Sequence, residues 1–157
     1  MLKDLIARVW QLTPKTVRRW SMRMTHTRFT VTAGAIVVNR EGRVLLLKHR
    51  FRGGSGWGIP GGFIEAHEQP DQAVRRELRE EVGLEIDDAR VVATRAFPHV
   101  KQIEILFVCR TKGYAEPQSM EIKKASWFHP EDLPEGLPRD QKLLLKRILV
   151  DGANRLD

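Results

Sequence analysis

GWGIPGGFIEAHEQPDQAVRRELREEVGL, residues 56–84, runs a glycine-rich stretch straight into a sharply bounded helix, and the reading of the whole chain turns on it. Residues 52–62 hold six glycines and a proline, too many for a regular element, so they read as a loop. Pro70 near the first helical position, Asp71 in the first turn and Gly83 at the C′ position mark a helix over 70–82. At about 100° per residue that helix has three faces. Val74, Leu78 and Val82 share one and must face the core. Arg75, Arg76 and Arg79 share another, and Glu77, Glu80 and Glu81 fill the third. A salt-bridged surface helix could pair Arg76 with Glu80, but it leaves Glu77 and Glu81 as a like-charge i,i+4 pair. A divalent cation relieves that repulsion, since three carboxylates at i, i+3 and i+4 present oxygens toward one point beside the helix. Hard oxygen donors suit Mg2+ or Mn2+. On spacing alone, a solvated acidic face stands level with metal binding.

Gly56, Gly58 and Gly61 also satisfy the spacing of a dinucleotide-binding turn. That turn needs a helix starting inside it, and Pro60 with Gly61-Gly62 prevents one. The histidines, at 26, 49, 67, 99 and 129, show no close metal-ligand spacing.

Outward from this stretch, Thr30–Val38 is β-rich, Asn39–Gly42 reads as a turn, and Arg43–Lys48 carries four consecutive apolar residues, which predicts a hairpin. Strands are expected near 90–96, 103–110 and 122–128. A closing helix over 139–150 would have Leu143, Leu144, Ile148 and Leu149 as its apolar positions. One central helix among strands predicts an α/β sandwich around a mixed sheet.

Gly62-x5-Glu68-x7-Arg76-Glu77-Leu78-x-Glu80-Glu81-x-Gly83-Leu84 resembles the signature of the Nudix hydrolases at every fixed position. Trp57-Gly58-Ile59-Pro60-Gly61-Gly62 is similar to the usual approach to that box. The resemblance covers about residues 30–150 and implies a Nudix-like α/β/α sandwich. It implies hydrolysis of a nucleoside diphosphate linked to another group, water attacking a phosphorus of the pyrophosphate bridge with the help of divalent ions. By the same resemblance Glu80 and Glu81 are the principal metal ligands, Glu77 is a further ligand or an orienter, and the Gly61 carbonyl completes the shell. Glu68 and Arg76 would fix loop against helix. Nothing in the box departs from the pattern, which argues against a nucleotide-sensing module without turnover.

Substrate identity is set outside the box. Pro98, fifteen residues after Gly83, with Glu104 on the next apolar strand, resembles the arrangement in ADP-ribose pyrophosphatases of the family and favours ADP-ribose or a nucleotide sugar. A triphosphate or RNA 5′-end pyrophosphohydrolase is the alternative. Related enzymes often recruit a catalytic glutamate from outside the helix; Glu121 is the candidate here, followed by Glu104 and Glu77. Trp57, Phe97 and Trp127 are candidates for stacking on a base, against the commoner role of tryptophan in a core. Arg50 and Arg52 are candidates for phosphate contact.

The chain has 157 residues, one domain's worth, at 41% hydrophobic and 30% charged. No apolar run approaches the ~18 residues of a spanning helix. The lone Cys109 excludes an internal disulfide and reads as a core hydrophobe, and no secretory signal is evident, so the cytoplasm is expected. Net charge is +7, yet residues 1–28 hold seven Lys/Arg against one Asp while the rest hold twenty against nineteen. The charge thus sits on an appended segment, 1–28, with the catalytic domain at 29–157. Leu2, Leu5, Ile6, Val9 and Trp10 at helical spacing, then Thr13-Pro14, predict two short helices there, the second running to about Arg23. The apolar stripe needs a cover, which either the body or a second subunit supplies, and a homodimer is favoured because family members often dimerise. A nucleic-acid handle is the weaker use of the charge, since a solvated basic face explains it as well.

Overall fold

The computed structural model describes residues 2–150, without the side chains of Leu2, Asp4, Leu5, Ile6, Arg8, Met22 and Arg23. Helices α1 (Leu2–Leu12) and α2 (Lys15–Thr25) come first, as the spacing predicts. Three members of the expected stripe, Leu2, Leu5 and Ile6, lie outside the described side chains.

Strands β1 (Thr30–Val38) and β2 (Val44–His49) follow. Their side chains alternate between two cores, because a strand covered on both faces must be apolar on both. Ala33, Ala35, Val37, Leu45 and Leu47 enter one core, and Ile36, Val44 and Leu46 the other. This explains the four apolar residues in a row at 44–47. The remaining strands are β3 (Trp57–Gly58), β4 (Gly61–Phe63), β5 (Asp88–Phe97), β6 (Gln102–Arg110) and β7 (Ile122–Phe128). Together they form a seven-stranded mixed sheet in which β1 and β6 run parallel and the other pairs antiparallel.

Helix α3 (Pro70–Val82) covers one face with Ala73, Val74, Leu78 and Val82. Helix α4 (Arg139–Leu149) covers the other with Leu144, Leu145 and Ile148. The result is the α/β/α sandwich expected from the sequence. Cys109 lies in the α3-side core, where burial pushes its thiol up to about 12.

Two expectations need correcting. The glycine-rich stretch is not all loop, since β3 and β4 form within it. Gly61 and Gly62 pair with Gly34 and Ala33 of β1, and Ala35 N–H donates to Pro60 O at 2.9 Å. Glycine permits this because backbone lies on backbone there: a Cβ on Gly61, at φ 138°, would sit 2.2 Å from the Ala33 carbonyl oxygen. On α4, Leu144 and Ile148 are buried and Leu149 packs beside them as expected, but Leu143 is 60% exposed and its place is taken by the buried Leu145.

Candidate active site

α3 holds its carboxylates on one side because both ends of the helix are fixed. Pro70 opens it, Gln72 Oε1 accepts from the Gln69 N–H at 2.9 Å, and Gly83, at φ 64°, closes it with Leu84 N–H donating to Leu78 O. The apolar face is fully buried, so the acidic face lies against the β4 backbone.

Arg76 is the hub of that face. Its Nε donates to Glu68 Oε1 at 2.9 Å and its Nη2 to Glu68 Oε2 at 3.2 Å and Phe63 O at 2.9 Å. Its Nη1 reaches Glu77 Oε1 at 2.8 Å and Glu80 Oε2 at 3.2 Å. The hydrogen bond from Arg76 holds the Glu68 carboxyl below its usual range, and Glu68 in turn pushes the guanidinium pKa upward. These contacts tie the segment before the helix to α3. The sequence grouped Arg76 with Arg75 and Arg79, but a long side chain reaches across the boundary between faces. Arg75 instead donates to Ile86 O at 2.7 Å, and Arg79 pairs with Glu85.

Glu81 lies deeper, 9% exposed, with Oε2 accepting from Gly61 N–H at 3.2 Å. Burial pushes its carboxyl up to about 8; the Gly61 hydrogen bond opposes this, Glu77 and Glu121 add to it, and Arg52 opposes it. Glu77 is also raised, first by burial, against the pull of Arg76. Gly62 makes room, since a Cβ there would stand 2.1 Å from Glu77 Oε1.

The three helix carboxylates do not converge on one point, contrary to the expectation from spacing. Among the described residues no three acidic, histidine or cysteine groups form a ready metal cage. Arg76 occupies Glu77 and Glu80, and Glu81 turns to the Gly61 amide. The donor set still fits a hard divalent cation: its atoms are oxygens, and Glu81 sits buried among like charges with only Gly61 and Arg52 to offset them.

Glu121 is exposed at the entry to β7, where its carbonyl accepts from Arg50 N–H at 2.7 Å and its own N–H donates to Ser119 Oγ at 3.1 Å. It comes close enough to Glu81 to influence its charge. Arg52 covers Gly58 and lines a cleft of about 90 Å3 with Thr32, Gly61, Gln102, Glu104 and Gln141. Glu104 is in this cleft but is engaged by Arg95 Nε at 2.7 Å, and Arg95 Nη1 also holds Asp140 at 2.9 Å. Arg50 points elsewhere, its Nε donating to Met120 O at 3.0 Å. Trp57 packs edge-on against Phe128 with ring centroids 5.2 Å apart, beneath Lys48. Phe97 lies under Arg95 and edge-on to His99, and Trp127 packs on the α3-side core. The structure thus gathers Glu68, Arg76, Glu77, Glu80, Glu81, Gly61 and Arg52, sets Glu121 beside them, and engages Trp57 in core packing. Sequence reasoning missed Arg95 and Gln141, whose Oε1 accepts from Ile59 N–H at 3.0 Å. Only the β5–β6 register, which sets Arg95 opposite Glu104, could have signalled the first.

Residues 28–148 match the family described as NUDIX domain. A MutT-like protein of Streptomyces ambofaciens is 28% identical over 124 residues, 79% of each chain. The NAD-capped RNA hydrolase NudC of Stutzerimonas stutzeri is 34% identical over 123 residues, 77% of this chain but 44% of that protein, so the chain spans less than half of this relative. Among solved structures, a MutT NUDIX hydrolase from Burkholderia pseudomallei superposes with TM-score 0.69 at 26% identity, covering 78% of this chain and 99% of that one. A NUDIX hydrolase from Nitrosomonas europaea gives 0.72 at 25%, covering 83% and 75%. Enzymes of this kind act on nucleotide substrates and generally use divalent metal ions. With the sandwich, the glycine turn and the acidic helix face all in place, the chain belongs to the Nudix hydrolase family.

Proposed function

We propose that the chain hydrolyses the pyrophosphate linkage of a nucleoside diphosphate joined to a second moiety, with ADP-ribose or a nucleotide sugar favoured, using Mg2+ or Mn2+. The observation that carries the reading is the buried Glu81 carboxylate, resting on the Gly61 amide where loop meets helix and within electrostatic reach of Glu77 and Glu121. Glu80 and Glu81, with Glu77 and the Gly61 carbonyl, would hold the cation. When bound, the cation would neutralise bridging oxygens and lower the pKa of the attacking water. Glu68 and Arg76 keep the loop on the helix. Arg52, at the mouth of the cleft, binds a phosphate, and Glu104, neutralised by Arg95, forms a wall of the cleft rather than the base. Glu121 accepts the proton of the attacking water as the new P–O bond forms and the bridging P–O bond breaks, releasing two phosphomonoesters. In this reading residues 29–157 are the catalytic domain, 1–28 an appended segment, and the enzyme works in the cytoplasm.

The similarity to NAD-capped RNA hydrolases favours a second reading, in which the leaving group is an RNA 5′ end. NAD itself contains the same linkage, so the helix carboxylates would serve either substrate. The test of the site is kcat at saturating Mg2+. Glu80→Gln and Glu81→Gln each should lower it more than ~100-fold with the fold intact. Glu121→Gln should lower it and remove the acid limb of its pH profile. Wild-type turnover in both metal-site variants would overturn the ligand assignment, and an unchanged profile in the third would move the base elsewhere.

A further inference from the structure

On α2, Val17, Trp20 and Met24 stand at i, i+3 and i+7 and form one stripe, 50%, 65% and 71% exposed. Lys15, Arg18 and Arg19 occupy the helix positions away from that stripe. On α1 the described apolar side chains are bare too: Val9 is 59% exposed, Trp10 46% and Leu12 84%. The first 28 residues carry a balance of +6. The catalytic reading uses none of these residues.

A short helix with an apolar stripe containing tryptophan, a basic remainder and low overall hydrophobicity has the pattern of a segment that lies in the plane of a lipid interface. Such a surface covers the stripe with acyl chains while the long basic side chains reach the headgroups. Other occupants satisfy only half of the pattern. Neutralising RNA phosphates would engage the basic residues and leave the stripe bare on the far side of the helix. Pairing α1 and α2 with a second copy would cover the apolar side chains but would bring two strongly basic segments together. No described helix is long or apolar enough to span the bilayer, so the contact is interfacial. We propose that α1 and α2 dock the enzyme on an anionic phospholipid surface, with Trp20 in the acyl region and Lys15, Arg18 and Arg19 among the headgroups.

The test is flotation of the full chain with phosphatidylglycerol/phosphatidylcholine vesicles and with pure phosphatidylcholine vesicles at low salt, together with quenching of tryptophan emission by brominated acyl chains. Flotation should require the anionic lipid, and the brominated lipid should quench the wild-type chain but not Trp10→Phe/Trp20→Phe. Arg18→Gln/Arg19→Gln should weaken partition ~30-fold, from about 1 kcal/mol per basic residue. Hydrolytic turnover in free solution should be unchanged in every variant, which verifies their folding. Absence of flotation, flotation without quenching, or retention by single-stranded RNA in place of vesicles would overturn the proposal. Sedimentation as a dimer that dissociates on Trp20→Ser would overturn it in favour of a second copy.

Discussion

Two titratable side chains, half-buried His49 and buried Glu81, set opposite limits on the protein. The His49 Nε2 is buried without a hydrogen-bond partner among the described residues, and burial, followed by the charge of Arg52, lowers its pKa from 6.5 to about 4. Its native pKa lies below its unfolded one, so its contribution is complete above pH 6.5 and is lost as pH falls toward 4. Glu81 is the reverse: raised from 4.5 to about 8, its carboxyl binds a proton more tightly in the native state, so stability falls as pH rises across that span. In metal-free buffer the melting temperature should therefore drop on both flanks. His49→Gln should weaken the acid flank, leaving the contributions of Glu68 and Glu85, and Glu81→Gln should weaken the alkaline one, leaving that of Glu77. Identical pH profiles for wild type and both variants would contradict these environments. Neither effect was legible in the sequence, because a residue's depth follows from the packing of elements distant in the chain: Glu81 reads as one more member of an acidic face, and His49 stands one residue beyond the apolar run at 43–48 with no motif around it.

At the scale of the element, α3 was legible to the residue and its surroundings were not. Pro70, Gly83 and the 74/78/82 spacing fix the helix and its buried face through local rules, and the structure matches them. What the periodicity misses is the reach of Arg76 over to Glu77 and Glu80, and the lodging of β4 against the helix. Glycine at 62 is the device that permits that lodging. Gly62→Ala must displace the Glu77 carboxylate, since the added Cβ would fall 2.1 Å from its oxygen. Turnover should drop ~10–100-fold, the scale seen when a group supporting a metal ligand is disturbed. The melting temperature should shift little by comparison, because Gly62 contributes no side chain to either core. Turnover equal to wild type would show that Glu77 has no catalytic place. By the same logic one position of α4 was misassigned: the run of Leu143, Leu144 and Leu145 offers several apolar arcs, and packing over β1 and β2 buries Leu145 in place of Leu143, beside the expected Leu144 and Ile148.

Over the whole molecule, the sandwich follows from strands apolar on both faces and one helix to cover each. That much is written in β1 and β2. The cleft is not, because it assembles Arg52 before the helix, Gln102 and Glu104 from β6, and Gln141 from α4, and no single stretch announces it. In the function proposed above, the motif supplies the chemistry and this cleft takes nucleoside diphosphates that carry a second moiety. The most direct measurement is chromatographic identification of products after Mg2+-dependent turnover of ADP-ribose, a nucleotide sugar, NAD and a nucleoside triphosphate. The expected result is cleavage of a diphosphate-linked substrate into two phosphomonoesters, nucleoside monophosphate and the phosphate of the second moiety. Release of inorganic pyrophosphate from the triphosphate, with every diphosphate-linked substrate left intact, would contradict it.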